Sequence, residues 1–288
     1  SLVLKPSEHS PLSAIRLAEL AVEAGVPPGV LNVINGAGST VGAALALHPK
    51  INLLTFTGSS ATGKQMMIAA GQSNMKRLML ECGGKSPHVV FEDVENLDRI
   101  AEVAAQRMFW NQGQVCSAMT RLIVHHSIKD ALLEKVIALA KNMKLGDPLD
   151  EKTTFGPISS RKQYDRVNHY LALGKELKAS LHTLETSGDK PENGYFVQPA
   201  LFDGVDSQSP LAQEEIFGPI LSVMSFKTEA EAIQLANGVS YGLAATAWTK
   251  DLGRARRLSR DLEAGEITIS ATTREANSLW SALSVEPF

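Results

Sequence analysis

Cysteine is scarce: Cys82 and Cys116 are the only two in 288 residues. A disulfide framework is excluded at that density, and a reducing compartment, the cytoplasm, is the expectation. Charge of one sign is lacking too. A formal net charge of −3 leaves no electrostatic footprint for nucleic acid or an anionic membrane surface. No apolar run approaches the roughly 18 residues of a membrane-spanning helix. The opening SLVLKPSEHS has no basic region followed by an apolar stretch, so it does not read as a signal peptide. There is no internal repeat and no low-complexity tract, and no metal is expected. What is present is ordinary for a globular protein: 44% hydrophobic and 20% charged residues, enough for a core of normal size. Both ends are abrupt. Ser1 leads into a strand already under way and Phe288 follows no capping element, so a fragment of a longer protein is expected.

Periodicity and breakers predict the elements. SLVLKP is a strand stopped by Pro6, and Pro11 to Ala24 has helical spacing. VLNVING is a strand, STVGAALALHP a small-residue helix, INLLTFTG a strand, SATGKQMMIAAGQ a helix and RLMLE a strand. INLLTFTG is near-continuously apolar in its first half, as strands covered on both faces tend to be. The first 80 or so residues therefore read β-α-β-α-β-α, a parallel sheet. Further strands are expected at KSPHVVFED, Met119 to Val124, GYFVQPALF, ILSVMSF, LAATAWT and GEITIS. Helices are expected over Leu97 to Trp110, Ile128 to Met143, Ser159 to Glu176, Glu229 to Asn237 and Leu252 to Leu262. The fold class is α/β: a parallel-sheet portion over residues 1–83, then a second α/β portion over residues 84–288.

Residues Gly58 to Gln65 read G-x-x-x-x-G-K-Q. A P-loop would end in Ser or Thr, whose hydroxyl holds Mg²⁺. Gln65 cannot do that, and no later strand ends in an obvious Walker B aspartate. Gly58, Ser59 and Gly63 nevertheless sit between a strand and a helix start, where free N–H groups and the helix dipole attract phosphate. Upstream, NGAGSTVG misses the dinucleotide fingerprint by one residue. Each cluster alone could be a plain turn. Two of them at the carboxyl ends of successive strands favour a dinucleotide over a triphosphate.

Two residues are candidates for chemistry. Cys116 follows the Gly113–Gln114 turn in FWNQGQVCSAMTR, where substrate could reach a thiolate nucleophile. A buried packing thiol is the alternative. Glu81 ends an apolar strand before Gly83–Gly84, where partial burial would raise its pKa toward that of a general base. A solvated strand-end acid is the alternative. Cys82 has no polar activating context and reads as a packing residue.

The segments VLKPSE, FTGS, LECGGKSP, FWNQGQVCSA and EEIFGPIL, in this order and spacing, resemble the aldehyde dehydrogenase superfamily over most of the chain. The resemblance implies that residues 1–83 are an incomplete Rossmann-like dinucleotide-binding portion and residues 84–288 an α/β catalytic domain. It also implies that Cys116 attacks an aldehyde carbonyl to give a thiohemiacetal, that hydride passes to a nicotinamide to leave a thioester, and that Glu81 activates the hydrolytic water. The Cys116 N–H would supply part of the oxyanion hole. Lys5 and Glu8 match positions that hydrogen-bond the adenine ribose. A carboxylate at Glu8 would repel a 2′-phosphate, so NAD is favoured and NADP possible. Gly58 and Ser59 would face the pyrophosphate, with Cys82 counted among the cofactor-binding positions. Glu215 and Phe217 would hold the nicotinamide ribose and flank the ring. Glu81 argues against the branch that transfers the acyl group to coenzyme A, and with Glu8 against an acyl-phosphate reductase.

Full-length members of the family are longer and homo-oligomeric, an assembly that a partial chain need not keep. The segment that normally precedes Ser1 carries an Asn that completes the oxyanion hole, and such a donor is worth roughly 10² to 10³ in rate. A truncated, non-catalytic product that keeps at most cofactor affinity is therefore the competing expectation. GEITISATTREANSLW departs from the family pattern, with Ser270 where Asn is common. That stretch shapes the substrate mouth in the family, so the aldehyde itself is not readable.

Overall fold

The computed structural model describes residues 1–177, 179–188, 191 and 193–270. The chain divides into two compact units, Ser1–Cys82 and Gly83–Phe288. The substrate-mouth stretch that follows Ser270, and the chain end at Phe288, lie outside the described residues.

The first unit contains β1 (Leu2–Leu4), α1 (Leu12–Glu23), β2 (Leu31–Val33), a π-type turn (Gly38–Gly42) running into α2 (Ala43–Leu47), β3 (Leu53–Thr57), α3 (Ser60–Gln72) and β4 (Arg77–Glu81). All strand pairing is parallel, as expected. The expected single sheet is not formed, however. Among the described residues β1 pairs only with β2, and β3 only with β4. Nor is β3 covered on both faces. Its residues alternate exposed and half-buried, with Leu53 at 44% exposure. The apolar run reflects β-propensity rather than two packed faces. Ser59 starts α3 as a capping residue, its Oγ accepting from the Thr62 N–H at 3.2 Å.

The second unit is a seven-stranded sheet between two helical layers. Its elements are β5 (Pro87–Val90), α4 (Leu97–Phe109), a 3₁₀ turn (Trp110–Gly113), β6 (Arg121–His125), α5 (Lys129–Lys141), α6 (Arg161–Glu176), β7 (Ser180–Thr183), β8 (Ala200–Asp203), α7 (Pro210–Gln213), β9 (Ile220–Phe226), α8 (Glu229–Asn237), β10 (Ala244–Trp248), α9 (Leu252–Asp261) and β11 (Glu266–Ser270). The strand order is β11-β10-β5-β6-β9-β8-β7, parallel except for the antiparallel β7. Central strands are buried on both sides, as parallel sheets require. Val89 and Ile123 point into one core with Val167 and Leu258, and Val90 and Leu122 into the other with Ile100 and Val136. Thr228 caps α8 while Glu231 accepts from the Lys227 N–H at 2.8 Å, which supports the helix start.

Two differences from the sequence expectation have local causes. GYFVQPALF yields a strand only over Ala200–Asp203. Gly194 is left-handed at φ 122° and Pro199 lacks an N–H, so the ladder begins after the proline. The edge strand β7 and the short α7 were not anticipated. β7 is polar and mostly exposed, so it carries no apolar alternation to read.

One buried charge ties the sheet to α8. Arg121 is 1% exposed. It donates from Nε to the Lys85 carbonyl, from Nη1 to that of Leu235 and from Nη2 to that of Ala236, each at 2.7 Å. The last two are carbonyls in the final turn of α8, where cations are favoured. Burial pushes the guanidinium down to about 10, still charged at neutral pH. Arg121→Leu strands these three buried acceptors. It is expected to destabilise the second unit by at least about 3 kcal/mol in urea unfolding. A loss under about 1 kcal/mol would show that the clamp carries little of the stability.

Candidate active site

In the second unit, α4 does not continue into β6. It ends in a turn where Asn111 (φ 51°), Gln112 (φ 57°) and Gly113 (φ 69°) are all left-handed. Such a run is uncommon for residues with side chains and stores strain. Side chains hold it in place. Asn111 Nδ2 donates to the Gln114 carbonyl at 3.1 Å, Gln114 Nε2 to the Asn111 carbonyl at 3.3 Å, and Gln114 Oε1 accepts from the Ser159 N–H at 2.9 Å. Gly113 has no room for a Cβ, which would lie 2.5 Å from the Gly218 carbonyl oxygen. The chain then delivers Cys116, a half-buried free thiol, into the next turn.

Cys116 is fixed through its own carbonyl. A Cβ at Gly84 would come within 2.3 Å of that oxygen, so only glycine lets the two segments touch. The Gly84 N–H donates to Glu215 Oε1 at 3.1 Å. Gly83 faces the same carboxylate, where a Cβ would collide with Oε2. Burial raises the pKa of Glu215. The Gly84 N–H and the charges of Arg166 and Lys85 act in the opposite sense. Sequence reasoning singled out Cys116, Glu215 and Phe217, and all three belong to this one loop system.

Helix α6 pins the Glu214–Gly218 segment. Gln163 Nε2 donates to the carbonyls of Ile216 and Phe217, both at 2.8 Å. Arg166 donates to the Glu215 carbonyl, and the Tyr170 hydroxyl to Glu214. Burial, then that bond to Glu214, pushes Tyr170 up to about 12. Phe217 sits at φ 60°, a strained conformation for a bulky residue, and the Gln163 bonds hold it there. These supporting residues were missed from sequence, where they read as an ordinary polar helix face.

In the first unit, Lys5 Nζ donates to the carbonyls of Pro6 at 2.7 Å and Gly36 at 3.0 Å, and lies 3.6 Å from Glu8. Lys5 thereby meets the upstream glycine cluster, with Glu8 beside it. A backbone N–H, and then Lys5 and His9, outweigh desolvation and lower the pKa of the exposed Glu8. The Gly58 N–H donates to the Glu81 carbonyl at 3.0 Å, placing Gly58 and Ser59 beside the end of β4. Cys82 Sγ lies against Gly63, where a Cβ would be 2.7 Å away. Glu81 is a correction. Its side chain falls on the exposed face of β4, whose residues alternate, so the expected partial burial is absent.

Among the described residues no three His, Cys, Asp or Glu gather as metal ligands, and no helix is long and apolar enough to cross a membrane. The model of the aldehyde dehydrogenase family matches residues 1–281. The chain belongs to the aldehyde dehydrogenase family. An aminoacetaldehyde dehydrogenase of Pseudomonas aeruginosa is 45% identical over 270 residues, covering 94% of this chain and 54% of that protein. The NADP/NAD-dependent aldehyde dehydrogenase PuuC of Escherichia coli is 47% identical with the same coverage. Among solved structures, an indole-3-acetaldehyde dehydrogenase complexed with NAD+ is 49% identical with a TM-score of 0.89, covering 93% of this chain and 54% of that one. This aldehyde dehydrogenase chain thus spans about half the length of the relatives it matches.

Gly84→Ala is expected to destabilise the second unit by about 1–3 kcal/mol, because the Cys116 carbonyl is rigid backbone. Gly71→Ala, in α3 with nothing near its Cβ position, is expected to stabilise by roughly 0.5–1 kcal/mol. Thermal unfolding of both variants checks the contrast. Equal effects would remove steric exclusion as the reason for glycine at position 84.

Proposed function

We propose that this chain carries the chemistry of NAD-dependent aldehyde oxidation, with Cys116 as the nucleophile. The observation that supports this most is the fixed, half-buried free thiol whose backbone is locked to the Gly83–Gly84 loop that also holds Glu215. The thiolate adds to the aldehyde carbonyl, and the Cys116 N–H donates to the oxygen as negative charge develops. That addition gives a thiohemiacetal; with a nicotinamide present to accept its hydride a thioester would remain, to be hydrolysed by a water that Glu81 deprotonates. Glu81 is exposed, so its carboxylate is open to water.

The residues present fit a dinucleotide. The N-terminus of α3, with Gly58 and Ser59, offers N–H groups to a pyrophosphate. Lys5 is a donor and Glu8 an acceptor for ribose hydroxyls, while Glu215 and Phe217 suit the nicotinamide ribose and ring. When bound, the nicotinamide supplies the hydride acceptor. The carboxylate of Glu8 disfavours an added 2′-phosphate, which supports NAD before NADP. Cys82 packs on Gly63 beneath the start of α3 and shapes that site. The first unit is accordingly assigned to the cofactor and the second to catalysis. The substrate is a small aldehyde. Two unpaired thiols suit a reducing compartment such as the cytoplasm.

Incubation with NAD and an aldehyde panel, followed by absorbance of the reduced cofactor, tests this. Turnover that Cys116→Ser abolishes is the expected result. Cofactor binding without turnover would favour the non-catalytic alternative. Glu81→Gln is expected to slow steady-state turnover by about 10² or more while sparing the first burst of reduced cofactor. Loss of that burst as well would remove Glu81 from the hydrolytic role.

A further inference from the structure

Lys85 follows the two glycines and has no part in the chemistry above. It is 1% exposed, and its Nζ has no hydrogen-bond partner among the described residues. The neighbouring Ser86, 2% exposed, has an equally unpartnered Oγ. Both line a cavity of about 10 Å³, together with Asn237, Tyr241 and Glu263. That volume matches one water, and a water needs two or more polar partners. A buried ammonium without any acceptor would be strongly disfavoured. The backbone of Lys85 is held independently, by Arg121 on its carbonyl, and its other neighbour Gly84 donates to Glu215. Lys85 therefore directly follows the residue whose N–H holds the Glu215 carboxylate, on a backbone segment fixed at both ends.

We propose that Lys85 is a positioning residue: its buried ammonium, solvated by one internal water shared with Ser86, keeps Glu215 ionised and seated on the Gly84 N–H. The charged groups around it set the balance. Burial and then the charge of Arg121 push Lys85 down to about 7, with Arg166 adding to the fall, while Glu215 and Glu214 oppose it. Reciprocally, Lys85 opposes the burial that raises Glu215. The sign follows. Below about 7 Lys85 is protonated and favours the carboxylate form, on the acid side where Glu215 would otherwise take up a proton. The meaning for cofactor binding rests on the proposed role of Glu215 at the nicotinamide ribose; the coupling itself does not.

The test is carbon-13 NMR of the whole chain, with labelled Glu and Lys, across an acid-to-neutral pH series. Lys85→Met is expected to move the Glu215 carboxyl midpoint to higher pH, and Lys85→Arg, which keeps the charge, to return it toward wild type. An unmoved midpoint in a folded Lys85→Met variant overturns the proposal. Should that variant not fold, wild type still decides. The Glu215 signal must show a second inflection where the Lys85 side chain titrates, and its absence overturns the coupling. A crystal structure is expected to show an ordered water on Lys85 Nζ and Ser86 Oγ; a direct protein acceptor on Nζ would overturn the water site. NAD affinity in the same samples separates the two claims. A shifted Glu215 midpoint with NAD affinity indifferent to pH across it removes the ribose role and leaves Lys85 in place.

Discussion

The candidate centre depends on a side chain that is missing. At Gly84 the backbone approaches the Cys116 carbonyl so closely that only hydrogen fits. That contact sets the register between the loop before β5 and the loop before β6. The same residue's N–H fixes Glu215, and α6 fixes the rest of that segment through Gln163, Arg166 and Tyr170. Most of these bonds end on main-chain carbonyls. Backbone polar groups must find partners when buried, and here that requirement doubles as a positioning device for side chains.

Arg121 extends the arrangement outward. By holding the Lys85 carbonyl and the last turn of α8 at once, it makes the loop part of the sheet's own framework. Of the left-handed residues at the site, Asn111 is held by its bonds with Gln114 and Phe217 by the bond from Gln163 to its carbonyl. Strain of this kind is tolerated where a group has to be presented at a fixed place.

Much of this was legible in the sequence, and the reasons differ by element. β9 and α8 fell where apolar pattern and capping residues agreed. The Glu, Gly-Gly and Cys segments were visible as loops at strand ends. What could not be read were pairings. Gly84 and Glu215 are 131 residues apart, and nothing local in either names the other. Buried Lys85 and Arg121 look like surface residues to any hydropathy argument. The continuity expected of the first sheet failed for a related reason: four apolar strands in a row do not specify which of them pair. The depth of Glu81 failed because a run of apolar neighbours in β4 does not say which face is covered.

Lys5 shows what such internal commitments imply. An ammonium has three protons to give. Two already go to the Pro6 and Gly36 carbonyls, and the Glu8 carboxylate stands 3.6 Å off. In its proposed role at the ribose, Lys5 would offer a sugar at most one free proton, its direction already set by the protein. Such a Lys5 would orient a hydroxyl sharply without gripping it, and strength of attachment would come from elsewhere along the ligand.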